Sequence, residues 1–211
     1  MNLLEYKDIE SISWYKFKRT PTFNISWHMT DCCNYNCSYC FDKKKQNEAL
    51  SKLKEKGLTT DIDNEQLLKT ANYINELVRK SSFKKEVDTI HYTLIGGEVS
   101  LLGDLLFDII KILSSNKNYN YTFNITTNLS YSYEYYKNLI DIAANNSQII
   151  KFVILGSYHF EYTSKEIFSN KIIRLKQYVD DNHYDNITLR TSMVIRTDNF
   201  EEIKWLSERL E

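Results

Sequence analysis

The chain has 211 residues, and its 27 Lys and Arg against 28 Asp and Glu give a formal net charge of −1. Hydrophobic residues make up 42% and charged residues 26%, which is typical of a globular chain that buries a core. The balanced charge argues against a broad basic surface for nucleic acid or an anionic membrane. The first ten residues are partly acidic rather than apolar, and no apolar run reaches the roughly 18 residues of a membrane span. We therefore expect a cytoplasmic protein that enters no membrane.

In chain order, residues 1–20 form an aromatic lead-in without a clear period, and Pro21 marks the expected start of a core domain over 21–211. Short β-rich runs then alternate with longer helical patterns. The expected strands are 23–29, 89–95, 121–127, 151–157 and 188–196. The expected helices are 62–80, 101–113, 133–145, 164–179 and 200–210, and Thr60 and Asp61 stand before the first as a start signal. Between the first strand and this helix, Lys43, Lys44 and Lys45 are predicted to lie in a solvated loop.

This alternation predicts parallel βα units, arranged either as an open doubly wound sheet or as a barrel. Strands covered by helices on both faces are nearly all apolar, yet three of these strands carry one polar face. Its residues are Asn24, Ser26 and His28; Thr122, Asn124 and Thr126; and Arg190, Ser192 and Arg196. We therefore predict an α/β fold, a partial TIM-like (β/α)5-6 barrel that lacks the sixth strand. Its ligand site is expected at the carboxyl ends of the strands.

All four cysteines fall just after the first predicted strand, at Cys32, Cys33, Cys37 and Cys40. Disulfides would be spread out to close loops, so clustered thiols indicate metal ligands or redox groups. The last three have the spacing C-x3-C-x2-C, and soft thiolates select zinc or iron–sulfur. A structural zinc site needs four ligands, whereas three ligands on a four-iron cluster leave one iron open. Cys32 is predicted to be a bystander because its neighbour is already used, and His28 is a further possible ligand.

The cysteine motif with its aromatic residue Tyr39 resembles that of the radical S-adenosylmethionine (radical SAM) superfamily. The resemblance implies that Cys33, Cys37 and Cys40 bind a [4Fe–4S] cluster whose open iron is chelated by S-adenosylmethionine. In that family the reduced cluster cleaves the cofactor to a 5′-deoxyadenosyl radical, which abstracts a hydrogen from the substrate.

Further residues resemble the cofactor-binding positions of the same family, each at the end of a predicted strand. Gly96, Gly97 and Glu98 match its Gly-Gly-Glu segment, although Val99 replaces the usual proline. Thr127 and Asn128 match a Thr-Asn-Gly segment in which Leu129 replaces the glycine. Ser157 matches a ribose-binding serine, and either Ser192 or Arg196 is expected to contact the cofactor. His159 follows the fourth strand as a candidate for substrate binding or proton transfer.

The resemblance thus implies an enzyme of the reducing cytoplasm that receives electrons from a donor such as flavodoxin or ferredoxin. The sequence around the cluster most resembles enzymes that modify peptides or proteins. A glycyl-radical activase and a small-molecule radical SAM enzyme stay open within the family. A non-catalytic iron–sulfur or zinc binding module is the alternative from another class.

Overall fold

The computed structural model describes residues 22–57, 60–80 and 87–211, so the predicted lead-in over 1–20 lies outside the described residues. The strands are β1 (Thr22–His28), β2 (Thr89–Ile95), β3 (Asn120–Thr127), β4 (Ile149–Tyr158) and β5 (Ile187–Met193). The helices are α1 (Lys43–Glu55), α2 (Asn64–Lys80), α3 (Asp104–Leu113), α4 (Tyr133–Ala144), α5 (Lys165–Asp181) and α6 (Phe200–Leu210), with a short 3-10 helix at Val99–Leu102. No helix in these ranges has the length and apolar character that crossing a bilayer requires.

The five strands form one parallel sheet in the order β1-β2-β3-β4-β5. Because each crossover between neighbouring parallel strands is right-handed, an unreversed order places the connecting helices on the same face. A doubly wound sheet would instead reverse its order near the middle. The sheet is therefore the predicted partial TIM-like barrel, with one helix-covered face and one open inner face.

The outer face of the sheet carries the core. Alternate residues of the central strands are buried there: Ile90, Tyr92 and Leu94; Tyr121, Phe123 and Ile125; and Phe152 and Ile154. Helix α3 packs its buried apolar residues into the same cluster, with Ile109, Ile110 and Leu113 fully covered. The polar alternation predicted for the strands is thus explained by burial of one face only.

The structure corrects the predictions for the first lysine cluster and for the end of the fifth strand. Lys43, Lys44 and Lys45 form the first turn of α1 rather than a loop, because the helix buries only Gln46 and Leu53 and so has a weak apolar pattern. The fifth strand ends at Met193, three residues before Arg196.

Two hydrogen bonds of the Asn199 side chain account for this early end of β5. Asn199 Oδ1 accepts a hydrogen bond from Arg196 N at 2.7 Å, and its Nδ2 donates to Val194 O at 3.0 Å. These bonds turn the chain into α6, so the polar–apolar alternation continues past the point where strand pairing stops.

Candidate functional site

A cavity of about 460 Å³ opens at the carboxyl ends of all five strands. It gathers every site residue predicted from the sequence except Arg196: Cys33, Cys37, Tyr39, Cys40, Gly96, Gly97, Glu98, Thr127, Asn128, Ser157 and Ser192. These residues come from five separate stretches of the chain. The parallel sheet brings them together because it aligns the carboxyl ends of its strands at one edge.

The loop that leaves β1 brings three thiols to this cavity. Cys33, Cys37 and Cys40 are free, and Tyr35 N donates a hydrogen bond to Cys33 Sγ at 3.4 Å. Burial raises the pKa of Cys33 to about 11 and also raises the pKa of Cys37. In this geometry the described residues form no group of three His, Cys, Asp or Glu side chains that could hold a metal ion. The thiols thus share one cavity without forming a closed metal cage.

The loop between β1 and α1 (residues 29–42, the cysteine loop) passes so close to the end of β2 that Gly96 and Gly97 are required there. Gly97 N donates to Thr30 O at 2.7 Å, and Glu98 N donates to Cys32 O at 2.9 Å. A Cβ on Gly97 would lie 2.1 Å from Cys32 O, and one on Gly96 would lie 2.6 Å from Thr30 O. The two glycines therefore allow the cysteine loop to pair with the backbone of this segment.

Glu98 places a buried carboxylate on the wall of the cavity, with only 2% of the residue exposed. The carboxylate accepts hydrogen bonds from Ser100 N at 2.9 Å, Thr127 Oγ1 at 2.6 Å and Asn128 N at 2.6 Å. It thereby joins the end of β2 to the end of β3. Among the described residues no basic side chain forms an ion pair with it, so its charge is available to a cationic ligand group.

Asn128 and Leu129 shape the cavity wall after β3. Asn128 Nδ2 donates to Asn34 Oδ1 at 2.8 Å and lies 4.0 Å from Cys33 Sγ. Leu129 has a φ of 55°, a left-handed conformation that glycine adopts far more readily. Its side chain fits over Gly156, where a Cβ would lie 2.6 Å from Leu129 Cδ1. The backbone at position 129 thus keeps the conformation expected for the replaced glycine.

The far wall of the cavity comes from β4 and β5, where the hydroxyl groups of Ser157 and Ser192 lie 2.9 Å apart. Arg196 lies outside this wall. Its guanidinium pairs with Asp198 at 2.9 Å and covers the ring of Phe160 at 5.5 Å. Of the two candidates near β5, only Ser192 faces the cavity.

The turn after β4 holds the cysteine loop from the opposite side. His159 Nδ1 lies 3.3 Å from Cys37 Sγ and 3.2 Å from the Tyr39 hydroxyl, and burial lowers the pKa of this imidazole. The Tyr39 ring stacks on Phe160 with the ring centroids 4.9 Å apart. These contacts direct two polar groups at the sulfur of Cys37.

Two further residues of this turn bind the middle of the cysteine loop. Glu161 accepts hydrogen bonds from the Ser38 hydroxyl and from Ser38 N, the latter at 2.7 Å. The Tyr162 hydroxyl accepts from Asn36 N at 2.8 Å, and its ring stacks on Tyr35 at 4.5 Å. Sequence reasoning missed both residues, since no spacing rule links positions more than 120 residues apart.

Asp61 fixes the start of the cysteine loop. Its carboxylate accepts hydrogen bonds from Thr30 Oγ1 at 2.5 Å and Asp31 N at 2.6 Å, and Thr30 Oγ1 accepts from Cys32 N at 3.0 Å. Burial alone would raise the pKa of Asp61, but these hydrogen bonds lower it overall. The helix-start prediction for Asp61 is wrong, because Asp63 caps α2 by accepting from Gln66 N at 2.9 Å.

Comparison with known proteins identifies the fold. No protein-family model matches the sequence, and no curated protein sequence matches it significantly. Among solved structures the chain is similar to native anSMEcpe with bound AdoMet and Cp18Cys peptide, with a TM-score of 0.54 and 15% sequence identity. The match covers 89% of this chain. The two proteins share a fold. The match covers 46% of the anSMEcpe chain, so this chain spans about half the length of that protein.

Proposed function

We propose that this protein is a radical SAM enzyme. The observation that carries the proposal is convergence: the Cys33–Cys37–Cys40 motif and the Gly96–Glu98 segment meet at one cavity at the strand ends. They are far apart in the chain, and each resembles a motif of the same superfamily. The shared fold with a structure that contains bound AdoMet (S-adenosylmethionine) supports the same proposal.

The donor set fits a [4Fe–4S] cluster with three protein ligands. Cys33, Cys37 and Cys40 face the cavity as free thiols, and thiolates are the usual ligands of such clusters. Cys32 does not line the cavity and is only 6% exposed, and its thiol interacts with Asp61 on the other side of the loop. We therefore assign three ligands and one bystander, as the sequence predicts.

The remaining wall fits S-adenosylmethionine. We assign the Glu98 carboxylate to the amino group of the cofactor, because it is a buried anion without a cationic partner among the described residues. Ser157 and Ser192 are the hydroxyl groups placed to meet its ribose, and Tyr39, Thr127 and Asn128 hold the surrounding wall. We do not extend the assignment to Arg196, which lies outside the cavity. When both are bound, cluster and cofactor supply a 5′-deoxyadenosyl radical that abstracts hydrogen.

A peptide or protein is the substrate class that we propose, with flavodoxin or ferredoxin as the electron donor. The structure of anSMEcpe contains a Cp18Cys peptide, which supports the first assignment. The cavity is open to the inner face of the sheet, where His28 and Thr126 line its floor. A substrate segment that enters there would meet these two polar side chains beside the apolar Ile95.

A closed metal site is the second candidate, and one contact favours it. His159 Nδ1 lies 3.3 Å from Cys37 Sγ, so the imidazole is near enough to the thiols to become a fourth ligand. Three thiolates and one imidazole are a common structural zinc set. In that case no metal position would be left open for S-adenosylmethionine.

Anaerobic reconstitution decides between the two candidates. We expect about four irons per chain and release of 5′-deoxyadenosine after reduction in the presence of S-adenosylmethionine. Cys37→Ala should lose both signals, whereas the matched variant Cys32→Ala should keep both. One zinc per chain, or a cluster that releases no 5′-deoxyadenosine, would contradict the enzyme proposal. Loss of iron in the Cys32 variant would contradict the ligand assignment.

A further inference from the structure

The inner face of the sheet is built in layers below the cavity. Strand register places Asn24, His91, Thr122 and Lys151 in one layer, and Ser26, Thr93, Asn124, Val153 and Thr188 in the next. The third layer contains His28, Ile95, Thr126, Leu155 and Arg190. The Ser157–Ser192 pair of the cavity wall lies directly above it. The inner face thus carries mostly polar side chains, interrupted by Val153, Ile95 and Leu155, and it leads from the cavity down the sheet.

The strand residues of this surface include cations and no carboxylates. None of the five described strands contains an Asp or Glu residue, although the chain has 28 of them. The inner face carries Lys151 and Arg190, which are both exposed, together with His28 and His91. A carboxylate from the loop after β1 reaches the upper end of this face, where Asp31 Oδ1 lies 2.8 Å from His28 Nε2. The strands that carry Lys151 and Arg190 contain no acidic residue.

Lys151 and Arg190 differ from many cations on the helix surfaces. Six of those helical cations pair with a carboxylate one turn away: Lys45, Lys69, Arg79, Lys80, Lys111 and Lys176. Among the described residues, Lys151 and Arg190 form no ion pair and no side-chain hydrogen bond. Within the described part of the chain, no carboxylate is therefore paired with either charge.

The positive charge of Lys151 acts on a neighbouring side chain of the inner face, His91. His91 Nδ1 lies 2.6 Å from Thr122 Oγ1 in the same layer. Burial lowers the pKa of His91, and the positive charge of Lys151 lowers it further. Lys151 is thus a positive charge directed into the open side of the sheet.

Arg190 and Lys151 lie at different distances from the Ser157–Ser192 pair of the cavity wall. Arg190 is two residues before Ser192, which corresponds to a step of about 7 Å along β5. Lys151 is six residues before Ser157, which corresponds to about 20 Å along β4. A ligand that reaches down from the cavity meets Arg190 first, and only an extended ligand reaches Lys151.

We propose that the inner face binds an anionic group of the substrate, a carboxylate or a phosphate, through Arg190 and, for extended substrates, Lys151. The guanidinium of Arg190 matches the planar geometry of either anion, and Lys151 adds a point charge further from the cavity. The inference rests on the proposed function, because it names the substrate chemistry of the same site. It states that the substrate carries a negative charge.

The binding test needs no metal cluster. The probe is a fluorescein-labelled octapeptide of alternating Glu and Gly, with fluorescence anisotropy measured at low salt, where exposed charges are least screened. We expect saturable binding to the wild-type chain, no binding of the Gln-Gly analogue, and binding about tenfold weaker or worse for Arg190→Ala with Lys151→Ala. Competition by citrate against inorganic phosphate distinguishes a carboxylate-selective site from a phosphate-selective one.

Charge-matched controls keep the test specific. Arg79→Ala and Lys69→Ala remove exposed cations on α2, outside the inner face, and should leave binding unchanged. Arg190→Glu should reverse the preference toward a Lys-Gly octapeptide, a gain that misfolding cannot produce. The inference is overturned if the wild type does not bind the Glu-Gly probe, or if the controls weaken binding as much as the inner-face variants. Failure of the proposed function would appear separately, in the iron count and the release of 5′-deoxyadenosine.

Discussion

The imidazole Nδ1 of His159 lies 3.3 Å from Sγ of Cys37 and 3.2 Å from the hydroxyl of Tyr39, so three polar atoms meet at one edge of the cysteine loop. Tyr39 lies within the cysteine motif, two residues after Cys37, whereas His159 comes from the turn after β4. Burial lowers the pKa of this imidazole and so favours its neutral form. A neutral imidazole has one N–H, and here that group can donate to a thiolate at Cys37.

The first prediction follows from this contact. In reconstituted protein, His159→Phe should make the reduction potential of the cluster more negative, because hydrogen bonds to a ligand sulfur favour the reduced state. The shift should be tens of millivolts, where about 59 mV corresponds to a tenfold change in a one-electron equilibrium. A redox titration followed by electron paramagnetic resonance measures it. Tyr73→Phe, which removes the hydroxyl of an exposed ring on α2, should leave the potential unchanged.

The second prediction concerns Gly97. Gly97→Ala should lower the free energy of unfolding by at least about 1–3 kcal/mol, because the new methyl group would overlap the backbone oxygen of Cys32. Urea unfolding followed by circular dichroism measures this loss. Gly57→Asn is the matched control, since nothing lies within 4 Å of a Cβ there and Asn tolerates its φ of 68°. An unchanged unfolding midpoint for Gly97→Ala would contradict the close approach.

The third prediction is a pH dependence that originates at Asp61. The pKa of Asp61 is lowered in the folded state, so its carboxylate contributes stability that is complete above the ordinary aspartate pKa of about 3.9. The contribution is lost as the pH falls through the lower folded-state value. Asp61→Asn should therefore flatten the acid limb of stability against pH, measured by thermal unfolding. Asp108→Asn, which removes an exposed carboxylate on α3, should retain the slope of the wild type.

The fourth prediction concerns the buried carboxylate of Glu98. Glu98→Gln keeps the shape of the side chain but replaces one carboxylate oxygen by an NH2 group. At least one of its three donors, Ser100 N, Thr127 Oγ1 or Asn128 N, then loses its acceptor. We expect a loss of about 1–3 kcal/mol for each donor left unpaired. Glu208→Gln, at an exposed carboxylate of α6, is the matched control and should leave the unfolding midpoint unchanged. If Glu98→Gln unfolds at the same urea concentration as the wild type, the three hydrogen bonds do not stabilise the strand ends.

The fifth prediction tests the charge on the inner face through His91. Lys151→Met should raise the pKa of His91, because it removes the positive charge that opposes protonation of the imidazole. Titration of the His91 ring protons by NMR measures the shift. Lys69→Met, which removes an exposed cation on α2, should leave the titration unchanged. A constant His91 pKa in the Lys151 variant would place the two groups further apart than the register indicates.

The sequence by itself determined the order and type of most elements. The apolar period of α2, α3, α4, α5 and α6 and the β-rich runs between them are local signals, so they can be read without knowing the partners of each segment. The polar faces of β1, β3 and β5 also predicted a sheet covered on one side only. The cysteine spacing identified three metal ligands as a hypothesis, since C-x3-C-x2-C lies in one short loop. Helix α1 was missed because it buries only two residues and carries a weak apolar pattern.

Only the tertiary structure decided which distant residues hold that loop. Asp61, Glu161 and Tyr162 bind it from segments that have no sequence relation to the cysteines, and their carboxylate and hydroxyl groups look like ordinary surface residues in the chain. Strand register, rather than composition, aligned Arg190 and Lys151 on one inner face. The end of β5 was set by the side chain of Asn199, which satisfies backbone groups that strand pairing would otherwise use. Local patterns determine which elements form, whereas hydrogen bonds between distant residues determine where the loops between them lie.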